Sequence, residues 1–205
     1  MIILFPFELF VKERLSQDRF IHSVNVAKAA KNLALKYGAS EEKAVIAGML
    51  HDITKEWTNH EHMQFLNQHN IGLTGYEYTS AKLFHAITGA CFSKVTLKIN
   101  DIDIFNAIRF HTTARNEMSI LEKIIYVSDF ISEDRQFKDL ETLRVLAYKS
   151  LEAAVGVGVK LTMMELVKNG YIIHPDTFNA YNEMMFLKSK CAKAFNKKNE
   201  KVVMN

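Results

Sequence analysis

The chain has 205 residues, of which 48% are hydrophobic and 24% are charged. This balance is typical of a globular protein with a substantial core, and it excludes intrinsic disorder. Because single domains usually run to between ~100 and ~200 residues, we expect residues 1–205 to form one domain. The 26 basic and 23 acidic residues leave a net charge of only +3, which does not indicate nucleic acid or a membrane surface as a partner.

The cysteines and the N-terminal segment indicate the compartment. Cys91 and Cys191 lie far apart without a CxxC pair, which excludes a thiolate zinc site and gives no sign of a disulfide framework. The start, MIILFPFELF, has no basic region and carries Pro6 and Glu8 within its apolar stretch, so we predict a buried segment rather than a signal peptide. No run reaches the ~18 apolar residues of a membrane helix. We therefore expect a cytoplasmic protein.

Helical periodicity runs through most of the sequence. Between Pro6 and Pro175, apolar residues recur at a helical spacing rather than alternating. We therefore predict an all-α fold, a helical bundle with a metal centre in its core. Its core helices are expected at about 18–135 and its C-terminal helices at about 139–196.

Capping residues predict where the first helices begin and end. Asp18 is expected to cap a helix that Gly38 ends in a left-handed conformation, and Ser40 is expected to cap the next helix. A polar connection follows, and then a helix at about 81–95. The histidines of that connection are expected to be solvated: His60, His62 and His69.

The later helices carry similar signals. Ser119 and Glu122 form the capping-box pattern S-x-x-E. One long amphipathic helix is predicted over about 140–169, where Gly156 and Gly158 indicate a bend or a close helix contact. A last helix should begin near residue 176.

Polar side chains occupy the apolar faces of several predicted helices. His51, His85 and His111 each lie on an otherwise apolar stripe, as do His22 and Asp129. A buried imidazole or carboxylate is costly unless it is hydrogen-bonded, paired or bound to a metal. Each residue alone could be a satisfied core side chain, but together they call for a shared explanation.

The adjacent pair His51-Asp52 favours a metal centre. Neighbouring side chains on a helix diverge by ~100°, so they can converge only on something large and central. A pair of metal ions fits, because one carboxylate can bridge two cations while imidazoles fill the outer positions.

The order of these residues matches a known signature. The pattern H, HD, H, H, D resembles the extended ligand set of binuclear HD-domain phosphohydrolases, and it consists of His22, His51, Asp52, His85, His111 and Asp129. More narrowly, nearly the whole chain resembles the YqeK-type bacterial bis(5'-nucleosyl)-tetraphosphatases of the symmetrical kind. That resemblance rests on the segments RFIHSVNVAKAAKNLALKYG, AGMLHDITK, LFHAITGA, AIRFHTTARNEMSILEKIIYVSDFI and IIHPDTFNAYN.

The resemblance implies a division of the ligands between two metals. One metal would be held by His22, His51, Asp52 and Asp129, and the other by Asp52, His85 and His111. Asp52 would then bridge the two ions. The implied reaction is cleavage of diadenosine tetraphosphate into two ADP molecules by a metal-bound hydroxide. Imidazole and carboxylate ligands without sulfur favour iron, manganese or cobalt, and the resemblance favours iron.

Cationic and aromatic side chains are candidates for holding the substrate. Beside the bridging Asp52, Lys55 and Arg135 are the candidate catalytic cations for the phosphate chain, and Arg115 is a third candidate. Each of the three could instead be a solvated or helix-end charge. Three aromatic residues could stack an adenine or simply pack in the core: Trp57, Tyr76 and Tyr78. His174 is expected to pack or to cap a helix.

Two stretches depart from the family pattern. Ala114 stands where the family motif HTTG has its glycine. The stretch that usually resembles ADYIEPNR reads SDFISEDR, with Ser132 and Glu133 replacing a glutamate and a proline. The second change is expected to alter substrate contacts without touching the metals.

The sequence leaves other functions open. Another HD-type activity, such as a nucleotide monophosphatase, an alarmone hydrolase or a cyclic-dinucleotide phosphodiesterase, would use the same fold and metals. A non-catalytic nucleotide-binding module is the alternative from a different class, although all six ligand positions are filled. The expected partner is a small dinucleoside polyphosphate, and a homodimer is an open possibility.

Overall fold

The computed structural model describes residues 5–187 and residue 189, and this part of the chain is helical without any β-strand. Its α-helices are α1 Glu8–Lys12, α2 Gln17–Tyr37, α3 Glu41–Leu50, α4 Asn59–Gln68, α5 Gly75–Tyr78, α6 Phe84–Val95, α7 Ile102–Arg109, α8 Ile120–Ile131, α9 Leu140–Lys149 and α10 Leu151–Lys168. A last helix, α11, covers 175–187. The 3-10 helix Ala81–Leu83 leads into α6. The end of the predicted C-terminal helices and Cys191 lie outside the described residues.

The helices pack as a bundle around one core. Helix α2 lies along α3 and α8, while α7 packs between α3, α6 and α8. Helix α10 covers the outer side of α8 and also contacts α9. The ends and inner faces of α2, α3, α6, α7 and α8 therefore meet in the middle of the bundle.

Two glycines allow close helix contacts. A Cβ atom at Gly48 on α3 would lie 2.7 Å from the Ala27 Cα of α2, so any side chain there would push the two helices apart. On α10, a Cβ at Gly158 would lie 2.9 Å from Tyr126 of α8. The close contact predicted at this glycine is present, and overpacking at either position would cost ~1 to ~3 kcal/mol.

Most of the predicted caps are present. The Ser40 hydroxyl accepts the backbone N–H of Lys43, Gly38 ends α2 at φ 68°, and Ser119 with Glu122 forms a complete capping box. The cap predicted at Asp18 is wrong, because α2 begins at Gln17 with Ser16 as its N-cap residue. The Ser16 side chain bonds to Glu56 instead of to the first turn of the helix.

The single long helix predicted over 140–169 is also wrong. Helix α9 ends at Lys149, and Ser150 adopts an extended conformation with φ −155° and ψ 110°. The Ser150 hydroxyl accepts the N–H of Ala153 and so caps α10. The break falls at this serine, whereas α10 continues through Gly156 and Gly158.

One of the three connecting histidines is not solvated as predicted. His62 is 3% exposed, and its Nδ1 lies 2.8 Å from the Thr88 hydroxyl. Its ring also contacts Trp57 and Phe84. His62 is thus a satisfied core histidine that joins α4 to α6.

Among the described residues, no helix combines the length and the apolar composition needed to span a bilayer.

Candidate metal centre

Five helices bring the six candidate ligands into one buried cluster. His22 lies on α2, His85 on α6 and Asp129 on α8, whereas His51 and Asp52 follow α3 and His111 follows α7. The four histidines and Asp52 are each at most 4% exposed. The structure thus brings together all six side chains that the sequence pattern singled out.

His51 and His111 are fixed in the same way. Each ring donates its Nδ1–H to the backbone carbonyl three residues earlier, Gly48 for His51 and Ile108 for His111, at 2.7 Å in both cases. The last carbonyls of a helix have no partner within the helix, so they are free to accept these bonds. Each ring therefore points its Nε2 lone pair at the centre.

His22 is held by a carboxylate on its outer side. Its Nδ1–H donates to Asp134 Oδ2 at 2.7 Å, while its Nε2 lies 3.0 Å from Asp129 Oδ1. The Nε2 atom thus faces a carboxylate oxygen, and either a proton on the ring or a metal ion between the two atoms satisfies both.

Asp52 lies in the middle of the cluster. Its Oδ1 is 3.2 Å from His85 Nε2 and 3.6 Å from His111 Nε2. Its Oδ2 is 3.5 Å from His51 Nε2 and 4.0 Å from His22 Nε2. The two oxygens of one carboxylate thus face two different pairs of histidines.

The cluster meets a chemical test for metal binding. His22 Nε2, His51 Nε2 and Asp52 Oδ1 are buried and have no hydrogen-bond partner among the described residues. Buried acceptors without partners are costly, and several of them close together suit a bound cation. Two overlapping sets place their ligand atoms within 4.8 Å of one another: His22, His51 and Asp129, and His51, Asp52 and His111.

The pKa shifts agree with this arrangement. Burial lowers the pKa of His51 to about 4, so its ring is neutral at physiological pH, as a metal ligand must be. Burial opposes the charging of His22, but Asp129 outweighs it and raises the pKa of that ring. Burial likewise opposes the ionisation of Asp52, yet its surroundings, His51 first among them, hold its pKa well below the usual range. The site thus favours a carboxylate with a positive charge beside it.

The candidate cations lie at the edge of the cluster. Lys55 Nζ is 3.0 Å from His85 Nε2 and 3.8 Å from Asp52 Oδ1, and burial lowers the pKa of its ammonium group. Arg135 donates to both the side chain and the backbone carbonyl of Asp129. Arg115, in contrast, pairs with the buried Glu122 at 2.7 Å. Its position fits a role in holding α8 in place.

Two residues near the centre were missed from the sequence. Arg19 Nη1 donates to Asp52 Oδ2 at 2.9 Å; its i, i+3 spacing from His22 on α2 was the available signal. Asp134 receives the outer N–H of His22 and is itself held by Asn25 at 3.1 Å. A carboxylate behind a metal-binding histidine is a common supporting partner, but Asp134 lies 112 residues from His22 in sequence.

The turn after His111 keeps an unusual backbone. Ala114, which replaces the glycine of the family motif, has φ 55° and is fully buried. A left-handed alanine costs roughly 1 kcal/mol relative to its usual conformation. The turn that follows His111 therefore does not depend on glycine.

Cavities surround the centre on three sides. A cavity of about 560 Å³ opens beside Lys55 and His85, and one of about 340 Å³ opens beside Asp129 and Arg135. A smaller polar cavity of about 240 Å³ lies over Arg19 and His22.

The aromatic candidates lie in different places. Trp57 packs against Phe65 and Phe92, and Tyr76 contacts His174, which lines the cavity of about 560 Å³. Tyr78 is 65% exposed. Tyr171, which lines the cavity of about 560 Å³, was missed from the sequence.

Known proteins share this architecture. Residues 19–134 match the HD domain family. A protein from Halalkalibacterium halodurans named "Bis(5'-nucleosyl)-tetraphosphatase, symmetrical" is 36% identical over 85% of this chain and 93% of its own length. A Bacillus subtilis protein of the same name is 37% identical over 84% of this chain and 92% of its own length.

A solved structure has the same fold. The crystal structure of a Clostridium acetobutylicum protein, described as a "predicted HD superfamily hydrolase involved in NAD metabolism", superposes with a TM-score of 0.84. It is 32% identical and covers 87% of this chain and 95% of its own. The fold is therefore that of an HD-domain hydrolase. The chain belongs to the HD-domain family, in the group of metal-dependent hydrolases whose curated members are named symmetrical bis(5'-nucleosyl)-tetraphosphatases.

Proposed function

We propose that this chain hydrolyses diadenosine tetraphosphate symmetrically, giving two ADP molecules. The observation that carries the proposal is the position of Asp52, whose two oxygens face separate pairs of buried histidines. A carboxylate placed in this way suits a pair of cations that share it. The names of the Halalkalibacterium halodurans and Bacillus subtilis relatives supply the substrate.

The proposed centre holds two transition-metal ions, with iron as the first choice and manganese or cobalt as alternatives. His22, His51, Asp52 and Asp129 would hold one ion, and Asp52, His85 and His111 the other. Bound ions supply Lewis-acid activation of water and of the phosphoryl oxygens. Elemental analysis of active protein should give two metals per chain, and one metal or fewer in fully active protein would refute the binuclear centre.

The cations at the rim would position the phosphate chain. Lys55 and Arg135 lie at the edge of the ligand cluster and line the cavities of about 560 Å³ and about 340 Å³ respectively. A tetraphosphate bridge that crosses the centre would meet a cation at each end. Charge-assisted contacts from these groups would orient the two inner phosphates for in-line attack.

The domain organisation, the compartment and the partners of the protein are part of the same proposal. We propose that residues 1–205 form one domain and that the protein acts in the cytoplasm on a small dinucleoside polyphosphate. Neither nucleic acid nor a membrane is proposed as a partner, since the net charge is only +3. Size-exclusion chromatography with light scattering would decide whether the protein is a homodimer.

Product analysis tests the reaction. Metal-loaded protein incubated with diadenosine tetraphosphate should release ADP as the sole primary product. In water enriched in oxygen-18, one of the two ADP molecules should carry the label, on its terminal phosphate, because attack occurs at a phosphorus next to the central bridging oxygen. AMP and ATP as primary products would refute symmetrical cleavage.

Other nucleotides belong in the same assay. A nucleoside monophosphate, an alarmone and a cyclic dinucleotide test the other HD-type activities. NAD should be included because the Clostridium acetobutylicum protein is described in those terms. Turnover of any of these in preference to diadenosine tetraphosphate would replace the proposed substrate.

A further inference from the structure

The largest cavity beside the metal centre has the size and position of a ligand site. Its volume of about 560 Å³ falls within the ~300 to ~1,000 Å³ typical of small-molecule pockets. Lys55 and His85 form its inner end. The cavity is therefore continuous with the place where the phosphates would react.

The outer part of this cavity has the chemistry of a base-binding surface. Tyr171, in the connection between α10 and α11, is 50% exposed and lines the cavity. The Lys82 ammonium group lies 4.4 Å from the centroid of the Tyr171 ring, and Leu166 and Ile172 add apolar walls. Aromatic faces stack on nucleobases, and a nearby cation complements a phosphate or the π-face of a base.

A thin wall separates this cavity from the one beside Arg135. Phe130, Leu161 and Glu165 line both cavities. The smaller cavity, of about 340 Å³, also includes Asp129 and Phe137. Two adjoining cavities thus contact the ligand cluster, which matches a substrate with a nucleoside at each end of a phosphate chain.

We propose that the larger cavity binds one nucleoside arm of the substrate, with the base stacked on Tyr171, and that the smaller cavity receives the other arm. This inference rests on the proposed function, since it assigns the two ends of a dinucleoside polyphosphate. The arms differ in their surroundings, because the larger cavity offers Tyr171 and Lys82 where the smaller one offers Phe137 and Arg135.

Binding of ADP to the metal-loaded protein, measured by titration calorimetry, tests the assignment. Tyr171→Ala should weaken ADP binding by about tenfold, because loss of base stacking costs roughly that much. Tyr171→Phe keeps the ring and should bind ADP as the wild type does. Tyr148→Ala is the matched control, since Tyr148 is a tyrosine on α9 that is also partly exposed, at 41%.

Each outcome decides the proposal. Wild-type affinity for ADP in Tyr171→Ala, or an equal loss in Tyr148→Ala, would overturn it. Because ADP binding needs no turnover, this test is independent of the proposed reaction. A protein that binds ADP through Tyr171 but leaves diadenosine tetraphosphate intact would refute the proposed function and retain the nucleoside cavity.

Discussion

Charged side chains are buried in two regions of this molecule, and the two regions treat them differently. In the scaffold, Glu77 and Glu122 are 4% and 1% exposed, and each receives an arginine, Arg109 and Arg115 respectively. Each carboxylate also accepts a backbone N–H within a capping box. At the candidate metal centre, in contrast, His22 Nε2, His51 Nε2 and Asp52 Oδ1 are buried without a hydrogen-bond partner among the described residues.

This difference separates structural polar groups from functional ones. A buried polar atom left without a partner costs ~1 to ~3 kcal/mol. The scaffold avoids that cost by local capping and ion pairs, which also hold α5 and α8 in position. The centre retains several such atoms, and a bound cation would offset their cost. Substitutions at the candidate centre should therefore change metal binding and activity, whereas substitutions in the scaffold should change stability.

The largest expected effect follows from removing the shared carboxylate. Asp52→Ala should lower hydrolysis of diadenosine tetraphosphate by more than ~1,000-fold, because both proposed metals lose a ligand. Metal content should fall in the same variant, as measured by elemental analysis after gel filtration. His69→Ala, at the C-cap of α4, is the histidine control and should change neither quantity. Activity near the wild-type level in Asp52→Ala would contradict the proposed centre.

The next effect concerns Asp134, which supports His22 from outside the cluster. Asp134→Ala should weaken metal binding by ~10- to ~100-fold, because the His22 ring loses the partner that fixes its tautomer and orientation. Competition with a chelator of known affinity measures this without any assay of turnover. Glu133→Ala, at an exposed neighbouring carboxylate, is the matched control. Equal metal affinities in the two variants would show that Asp134 only shapes the surface.

A smaller effect is expected at Lys55. Lys55→Ala should lower kcat/KM by about tenfold, the size expected when one charge-assisted contact to phosphate is lost. Metal content should stay at the wild-type level, in contrast to Asp52→Ala. Loss of metal together with activity would instead assign Lys55 to the ligand cluster, through its contact with His85.

Local sequence signals predicted much of this organisation. The helical faces and caps could be read because they depend on residues within a few positions, such as Ser119 with Glu122 and Gly38 after α2. The six polar positions came from the same periodicity together with the family resemblance. Their role as metal ligands stays a prediction, although the structure brings them together.

Other features depend on contacts between distant parts of the chain. The N-cap residue of α2 is Ser16 rather than the predicted Asp18. The Ser16 side chain bonds to Glu56, 40 residues away in sequence. His62 is buried because Thr88 of α6 lies against it. Tyr171 lines the cavity of about 560 Å³ because of the path of the chain after α10. Periodicity carries no information on such contacts, because it describes one helix at a time.

The smallest expected effect tests the scaffold through its pH dependence. Burial alone would raise the pKa of Glu77, but the Thr74 backbone N–H and Arg109 outweigh it, so the pKa lies below its ordinary value. A carboxylate with a depressed folded-state pKa stabilises the fold fully above its unfolded pKa, and this stability is lost as pH falls through the folded value. Glu77→Gln should therefore cost roughly 1 kcal/mol at pH 7, and the difference in Tm from wild type should shrink as pH falls from 6 towards 3. Thermal unfolding followed by circular dichroism measures both, with Glu42→Gln, at an exposed glutamate in the first turn of α3, as the control. A Tm difference that stays constant over this range would mean that Glu77 stabilises the fold by packing rather than by its charge. The pairing of a buried carboxylate with an arginine would then not distinguish the scaffold from the candidate centre at this residue.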